Sequence, residues 1–406
     1  MSLIVQKYGG TSVGTADRIK AVAKRIVETK EQGHDVIVVV SAMGKTTDQL
    51  VSLAKQITEY PNPREMDMLL STGEQISISL LAMALHDLGQ KATSLTGAQI
   101  GLLTDNVHTK AKIVGMKPDK IIQLLEQGHI IIIAGFQGMT PDFDVTTLGR
   151  GGSDTSAVAV ASILKAERCV IYTDVDGIYT ADPRYVPKAR KLKMISYGEM
   201  LEFASLGAKV MSSRSIEFGK KYGVPIVVRS SFNDEDGTLI TEEGERMEDV
   251  VVTGVALDKD EAKITIQQVS DQPGIAARIF RVLADEGINI DMIVQNISDK
   301  GLTDVSFTTP VAELKKAISV SEKIVKDIGA SRVVSNDKIA KLSVIGAGMR
   351  SHPGVAADMF EALAEEKINI EMITTSEIRI SCVISEEDAE RAARAVHTKF
   401  KLDCEG

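Results

Sequence analysis

At 406 residues the chain is too long for one ordinary core, which sets the expectation of two or three domains. Hydrophobic residues make up 44% and charged residues 25%, as in globular chains, and a formal net charge of -9 disfavours nucleic acid and anionic membranes as main partners. A site for an acidic substrate must then be locally basic. In chain order, IVQKY reads as a strand, and Ile19, Val22, Ala23, Ile26 and Val27 follow at helical spacing. DVIVVVSAMG is a buried strand ending in a glycine turn, and TDQLVSLAKQI is a helix. EMDMLLSTGEQISISLLAMALHDLG is a long helical stretch with a break at Gly73, and IIIIAGFQG is another buried strand. Continuous β-branched runs of this kind, continuing through VIYTDVDG and VPIVVRSS, suit a parallel sheet covered on both faces. Near residue 231 the texture changes to FNDEDGTLITEEGERMED, acidic and poorly periodic, and a domain boundary is expected there.

Beyond that boundary the sequence repeats itself. PGIAARIFRVLADEGINIDMI (273–293) aligns with PGVAADMFEALAEEKINIEMI (353–373) at an offset of 80, with 13 of 21 positions identical. Each copy has strand-like segments before and after it, which makes two βαββαβ modules. The first copy supplies four strands, whereas the second runs out of chain before its fourth. Segment 249–258 (DVVVTGVALD) has no place in the first copy, so it is expected to close the second module's sheet, with the first module inserted.

Several short stretches have the makings of chemistry. Lys7 ends the first strand ahead of Gly9 and Gly10, an order that fits neither G-x-x-x-x-G-K-[ST] nor G-x-G-x-x-G. Its ammonium can meet a phosphate, the glycines let backbone approach the same oxygens, and Thr11 or Ser12 can cap the next helix. A surface lysine before a plain turn is the alternative. In TTLGRGGSDTSAVAVA (146–161), open amides at Gly151 and Gly152 sit beside Arg150, Ser153 and Asp154. Arginine there can grip a carboxylate bidentately. TDVDGIYTADPR (173–184) follows a buried strand, where doubly wound folds bind ligands. Tyr179 can flank a base and Arg184 can meet phosphates, although Asp-Gly and Asp-Pro also simply make turns. Asp174, Asp176 and Asp182 lack the order of a calcium loop. Glu74 lies in an apolar helical region, as a solvated carboxylate or a partner for a substrate ammonium. Ser41 and Thr47 flank the turn SAMGKTTD.

Other features exclude more than they suggest. The three cysteines, Cys169, Cys382 and Cys404, have neither metal nor disulfide spacing and are expected to be reduced thiols in a cytoplasm. The six histidines form no ligand-spaced cluster. Gln6 and Lys7 interrupt the first apolar run too early for a signal peptide, and no apolar stretch is expected to reach transmembrane length.

Taken together, Lys7-Tyr8-Gly9-Gly10-Thr11-Ser12, VVVSAMGKTTD, STGEQ, FQGMT, TTLGRGGSD and YTDVDGIYTADPR, in this order and at these distances, resemble the amino-acid kinase family, specifically its aspartate kinases. The repeats resemble ACT domains, which bind small amino acids and pair side by side. The tail looks similar to monofunctional members controlled by lysine and threonine. The resemblance implies an α/β kinase domain of three layers with a mainly parallel central sheet over residues 1–230 and a linker over 231–248. It also implies two ferredoxin-like ACT domains, one over 259–338 and one from 249–258 with 339–406. It implies phosphorylation of L-aspartate by ATP with Mg2+ to 4-phospho-L-aspartate, the opening step toward lysine, threonine and methionine. Such transfer rests on positioning and fixed charge, and a carboxylate needs no general base at neutral pH.

Residue by residue, the resemblance implies that Lys7 stabilises the transferring phosphoryl group and that Asp154 orients Lys7. Tyr8, Gly9, Gly10, Thr11 and Ser12 would lie near the ATP phosphates. Ser41, Thr47, Glu74, Arg150, Gly151, Gly152 and Ser153 fall at substrate positions, Arg150 on the α-carboxylate and Glu74 on the α-ammonium. Thr173, Asp174, Tyr179, Asp182, Arg184 and Lys209 would line the nucleotide site, and no side-chain metal site is implied. Many members have His-x-Arg where this chain reads Val210-Met211-Ser212-Ser213-Arg214, so no role of that histidine is carried over. For the effector, Asp271, Gly274, Ile275, Ala276, Asn289, Asp291 and Gln295 of one module would face His352, Val355, Ala356, Asn369, Ile370 and Ser376 of another across an interface between chains. An internal start at Met247 would yield a regulatory β subunit in an α2β2 assembly; a homo-oligomer is the other expectation. Two other readings stay open: an acetylglutamate kinase type of enzyme, and a non-catalytic amino-acid sensor.

Overall fold

The computed structural model describes residues 2–207, 210–242, 251–296 and 301–404. The chain divides into two compact units, the first formed by Met1–Ile178, Lys191–Ala204 and Lys209–Glu243, the second by Tyr179–Arg190, Ser205–Ala208 and Gly244–Gly406. In chain order the first half runs β1 (Leu3–Tyr8), α1 (Ala16–Glu31), β2 (Asp35–Val40), α2 (Thr46–Ile57), α3 (Pro63–Leu70) and α4 (Thr72–Asp87). There follow β3 (Ala92–Leu95), β4 (Leu102–Thr104), β5 (Ile113–Met116), α5 (Asp119–Glu126), β6 (Ile130–Ala134), β7 (Gln137–Met139) and β8 (Val145–Thr147). Then come α6 (Gly152–Ile163), β9 (Arg168–Thr173), β10 (Met194–Ser196), α7 (Tyr197–Ser205), α8 (Ser213–Tyr222), β11 (Ile226–Ser230) and β12 (Thr238–Thr241).

The main sheet has the order β10-β12-β11-β9-β1-β2-β6-β3 and is parallel except for the β11–β12 pair. Its strands read as unbroken apolar runs because both faces are covered; Val36 to Val40 and Ile130 to Ile133 have no exposed surface. A small sheet, β5-β4-β7-β8, stands beside it. Helix α1 packs on the main sheet through Ile19, Val22, Ala23 and Ile26. Its cap is Thr15, which accepts from the Arg18 amide, and not Thr11 or Ser12, because residues 10–14 form a turn before the helix starts.

Two other expectations change. Part of the stretch read as a linker is strand: β12 pairs antiparallel with β11 and parallel with β10, a short strand between the two, hidden in acidic sequence. The span Pro63–Asp87 is long and apolar enough by length and composition to cross a membrane. It is split at Ser71 into α3 and α4, and half of its apolar window is buried inside the protein, as in a core helix.

The second unit continues with β13 (Gly254–Asp258), β14 (Glu261–Ser270), α9 (Ile275–Asp285), β15 (Ile293–Gln295), β16 (Leu302–Pro310), α10 (Leu314–Ile328) and β17 (Arg332–Asn336). It ends with β18 (Ile339–Ile345), α11 (Val355–Glu365), β19 (Met372–Thr375), β20 (Arg379–Ser385) and α12 (Ala389–Lys399). One sheet is β15-β16-β14-β17 and the other β13-β18-β20-β19. The second sheet therefore takes its edge strand from ahead of the whole first module. The repeat is visible in the backbone: α9 and α11 start behind Gly274 (φ +94°) and Gly354 (φ +107°).

The second module's core also takes in residues from the connection between β9 and β10. Ala181 and Val186 are buried among Val255, Leu342, Met359 and Val396. The Val255 amide donates to the Thr180 carbonyl at 2.7 Å, and the Thr180 hydroxyl lies 2.9 Å from His397 Nε2. Burial pushes the His397 pKa down.

Candidate active site

The site is built from the carboxyl ends of adjacent parallel strands. Lys7 is the penultimate residue of β1, and its Nζ lies 2.6 Å from Asp154 Oδ1 in the first turn of α6; both side chains are about nine-tenths buried. An ammonium so placed is held by a carboxylate in a poorly solvated place, where fixed charges act strongly. The turn after β1 lies directly on the turn after β2. A Cβ on Gly10 would sit 2.8 Å from the Ala42 carbonyl oxygen, so only glycine permits this approach, and the Gly44 amide donates to the Gly10 carbonyl at 2.9 Å.

The Ala42 amide in turn donates to Glu74 Oε1 at 3.1 Å. Glu74 is 2% exposed, and its second oxygen has no hydrogen-bond partner. Burial pushes its pKa up to about 7. A buried carboxyl with an unused oxygen is suited to receive an ammonium group. Ser41 and Thr47 are half-buried on either side of the same turn, Ser41 tied by its amide to the Tyr8 carbonyl.

Arg150 is exposed on the loop between β8 and α6. Gly151 there has φ +71°, and a Cβ on it would stand 2.4 Å from Ser212 Cβ. Ser212 and Arg214 occupy the His-x-Arg positions of the resembled family. The Ser212 hydroxyl donates to the Gly151 carbonyl at 3.4 Å, and the Arg214 guanidinium donates to the Leu148 and Ala111 carbonyls at 3.0 and 2.9 Å. Ser153 abuts the end of β6, where a Cβ on Gly135 would meet its hydroxyl at 2.8 Å.

On the other side of Lys7, the Ser12 hydroxyl donates to Ser231 Oγ at 2.9 Å, and Ser231 donates through its hydroxyl and amide to the Thr173 carbonyl. The structure thus brings the residues 9–12 turn, Thr173 and, next in chain, Asp174 together. Tyr8 is fully buried and stacks on Tyr172 at 4.6 Å, so only its backbone reaches the turn. Tyr179, Asp182 and Arg184 belong to the segment that packs in the second unit, where the Arg184 guanidinium lies on the Asp182 carboxylate at 2.6–3.0 Å. Lys209 lies outside the described residues, as does Met247.

In the second unit, Ile275, Ala276, Val355 and Ala356 open the two repeated helices behind Gly274 and Gly354. Asp271, Gln295, His352, Asn369 and Ser376 are exposed, and Ile370 packs at the edge of the second module's core. Asn289 bonds the Glu313 carboxylate through its amide groups. Asp291 Oδ2 lies 2.5 Å from Nζ of Lys341, a lysine only 2% exposed that also meets Glu261 at 3.4 Å and Asp258 at 3.9 Å. Nothing in the sequence marks Asp67, Ser231 or Lys341.

The amino acid kinase family model matches residues 2–230, and an ACT domain model matches residues 265–323 and 342–400. An aspartate kinase of Pseudomonas putida is 52% identical over 404 residues, covering 99% of this chain and 98% of its own. Among solved structures, E. coli aspartokinase III in complex with aspartate and ADP, in its R-state, has a TM-score of 0.78 at 25% identity, covering 98% of this chain and 99% of that one. The same protein in complex with lysine and aspartate, in its T-state, has a TM-score of 0.78 at 26% identity over 98% of this chain. The chain belongs to the amino acid kinase family, among the aspartate kinases that carry paired ACT domains.

Proposed function

We propose that the chain transfers the γ-phosphoryl group of ATP to the side-chain carboxylate of L-aspartate, giving 4-phospho-L-aspartate and ADP. The observation that carries this reading is the buried Lys7–Asp154 pair at the glycine turn, flanked by the unsatisfied Glu74 carboxyl and by the Arg150 loop. Lys7 meets charge developing on the transferring group, Arg150 holds the α-carboxylate and Glu74 the α-ammonium. The attacking carboxylate is already ionised at neutral pH, so no base is required. Mg2+ would enter on the nucleotide phosphates.

The reaction would open the route to lysine, threonine and methionine in the cytoplasm, with lysine, threonine or both binding at the Pro-Gly turns of ACT modules paired between chains. The complex of E. coli aspartokinase III with lysine supports an effector of this class. The assembly would be a homo-oligomer or an α2β2 form with a fragment starting at Met247. ADP release with Mg-ATP and aspartate, compared with N-acetylglutamate, tests the reaction; addition of lysine and threonine singly and together tests the control. Turnover with N-acetylglutamate and not aspartate, or no turnover with either, overturns the reading.

A further inference from the structure

We propose that Asp67 is a positioning residue that fixes the span between Glu74 and Arg150, and so sets the affinity for the amino-acid substrate; the inference rests on the reading of those two residues given above. Asp67 lies on α3 and has no exposed surface. Its carboxylate accepts from the Thr147 hydroxyl at 2.5 Å, the Thr109 amide at 3.0 Å and His108 Nδ1 at 2.7 Å. A carboxylate only accepts, so the histidine tautomer with its proton on Nδ1 follows from the arrangement.

The bonded partners lie on two other segments. Thr147 ends β8, and Leu148, Gly149 and Arg150 follow it. Residues 108–111 run alongside, with the Ala111 amide donating to the Thr147 carbonyl at 2.9 Å and Arg214 holding the Leu148 and Ala111 carbonyls together. In the other direction α3 passes through Ser71 into the first turn of α4, which carries Glu74. The Ser71 carbonyl is itself held by Gln137 Nε2 at 3.0 Å. One buried carboxylate therefore joins the chain leading to Glu74 with the chain leading to Arg150.

The Arg150 loop needs such an anchor. It passes through Gly149 (φ +78°) and Gly151 (φ +71°), and its arginine is exposed. A gripping side chain works only when its backbone is held within about half an ångström of the productive place. An apolar residue would fill the space under α3 equally well; a charged acceptor with donors from two segments fixes direction as well as volume.

Asp67→Asn places an amide donor against these donors while keeping size. It is expected to raise KM for aspartate about tenfold, with kcat and KM for ATP within about twofold of wild type. Thr147→Val, which removes one bond of the clamp, is expected to raise KM for aspartate about threefold, and to add nothing when combined with Asp67→Asn. Equal increases in both KM values, or a lowered melting temperature with both unchanged, would overturn the proposal. Hydrogen exchange at residues 147–152 reads the clamp whatever the substrate proves to be. Faster exchange there in Asp67→Asn, with the residues 9–12 turn unaffected, supports it, and unchanged exchange overturns it. Absence of aspartate-dependent ADP release by the wild-type chain would instead strike the reading of the site.

Discussion

On the proposed reading, Lys7 and Asp154 show how little a phosphoryl-transfer site asks of reactive groups and how much of fixed charge. Replacing Lys7 by alanine is expected to lower kcat by roughly 10²–10³, the scale of losing one aimed charge. It also strands the Asp154 carboxylate, so stability falls too; Asp154→Asn in the same chain is expected to restore the melting temperature and leave turnover low. Glu74 predicts a pH dependence. In the folded chain it titrates near 7, against an ordinary value of 4.5. Between those values the folded state keeps a proton that the unfolded state has lost, so its contribution to stability declines as pH rises from about 4.5 to about 7 and is level above. The melting temperature of Glu74→Gln, measured against wild type from pH 4 to 8, is expected to gain across that window. Because an ammonium group demands the ionised form, KM for aspartate is expected to fall as pH rises toward 7 in the wild type, and to lose this dependence in Glu74→Gln. The charged residues beside glycine were legible in the sequence because charge in an apolar or glycine-rich setting is anomalous. Asp67 and Ser231 were not, because their partners Thr147 and Ser12 lie 80 and 219 residues away.

Among the elements, the main strands declared themselves by unbroken β-branched runs, whereas the small sheet beside them did not. Its strands are three or four residues long, too short for any period to show. The strand β12 was masked by the acids around it. Turns are where the sequence-to-geometry argument is tightest. The added methyl of Gly10→Ala would press on the backbone of the neighbouring turn, and relieving it moves both turns. Overpacking of this kind costs about 1–3 kcal/mol; on the proposed reading the strain falls on the phosphate side, and kcat/KM for ATP is expected to drop by about ten- to a hundredfold, measured by initial rates at saturating aspartate. A variant with unchanged ATP kinetics would show that the turn has room to yield.

Across the whole chain, the strand count left segment 249–258 outside the first module, and in the structure Gly254–Asp258 pairs with β18. Nothing in the sequence flagged Lys341, which meets Asp291 and Glu261 of the first module from the second. Burial raises the Glu261 pKa, and the Lys341 charge works against that rise. Lys341→Met is expected to destabilise the second unit by about 3–5 kcal/mol, because carboxylates would be left without their cation; urea unfolding followed by a probe in that unit measures it. Nor did the sequence show that Tyr179–Arg190 leaves the kinase unit. That excursion bears on how the protein is made. A ribosome delivers Ala181 and Val186 long before β13, and longer still before α12, so two apolar side chains wait in the nascent chain for a core not yet synthesised. A kinase fragment ending near residue 242 would keep them uncovered for good and is expected to need chaperones or to aggregate. A fragment begun at Met247 would carry the complementary gap, lacking both side chains and the Thr180 bond to His397. Each half made alone would thus present to the other the surface that one continuous chain closes on itself.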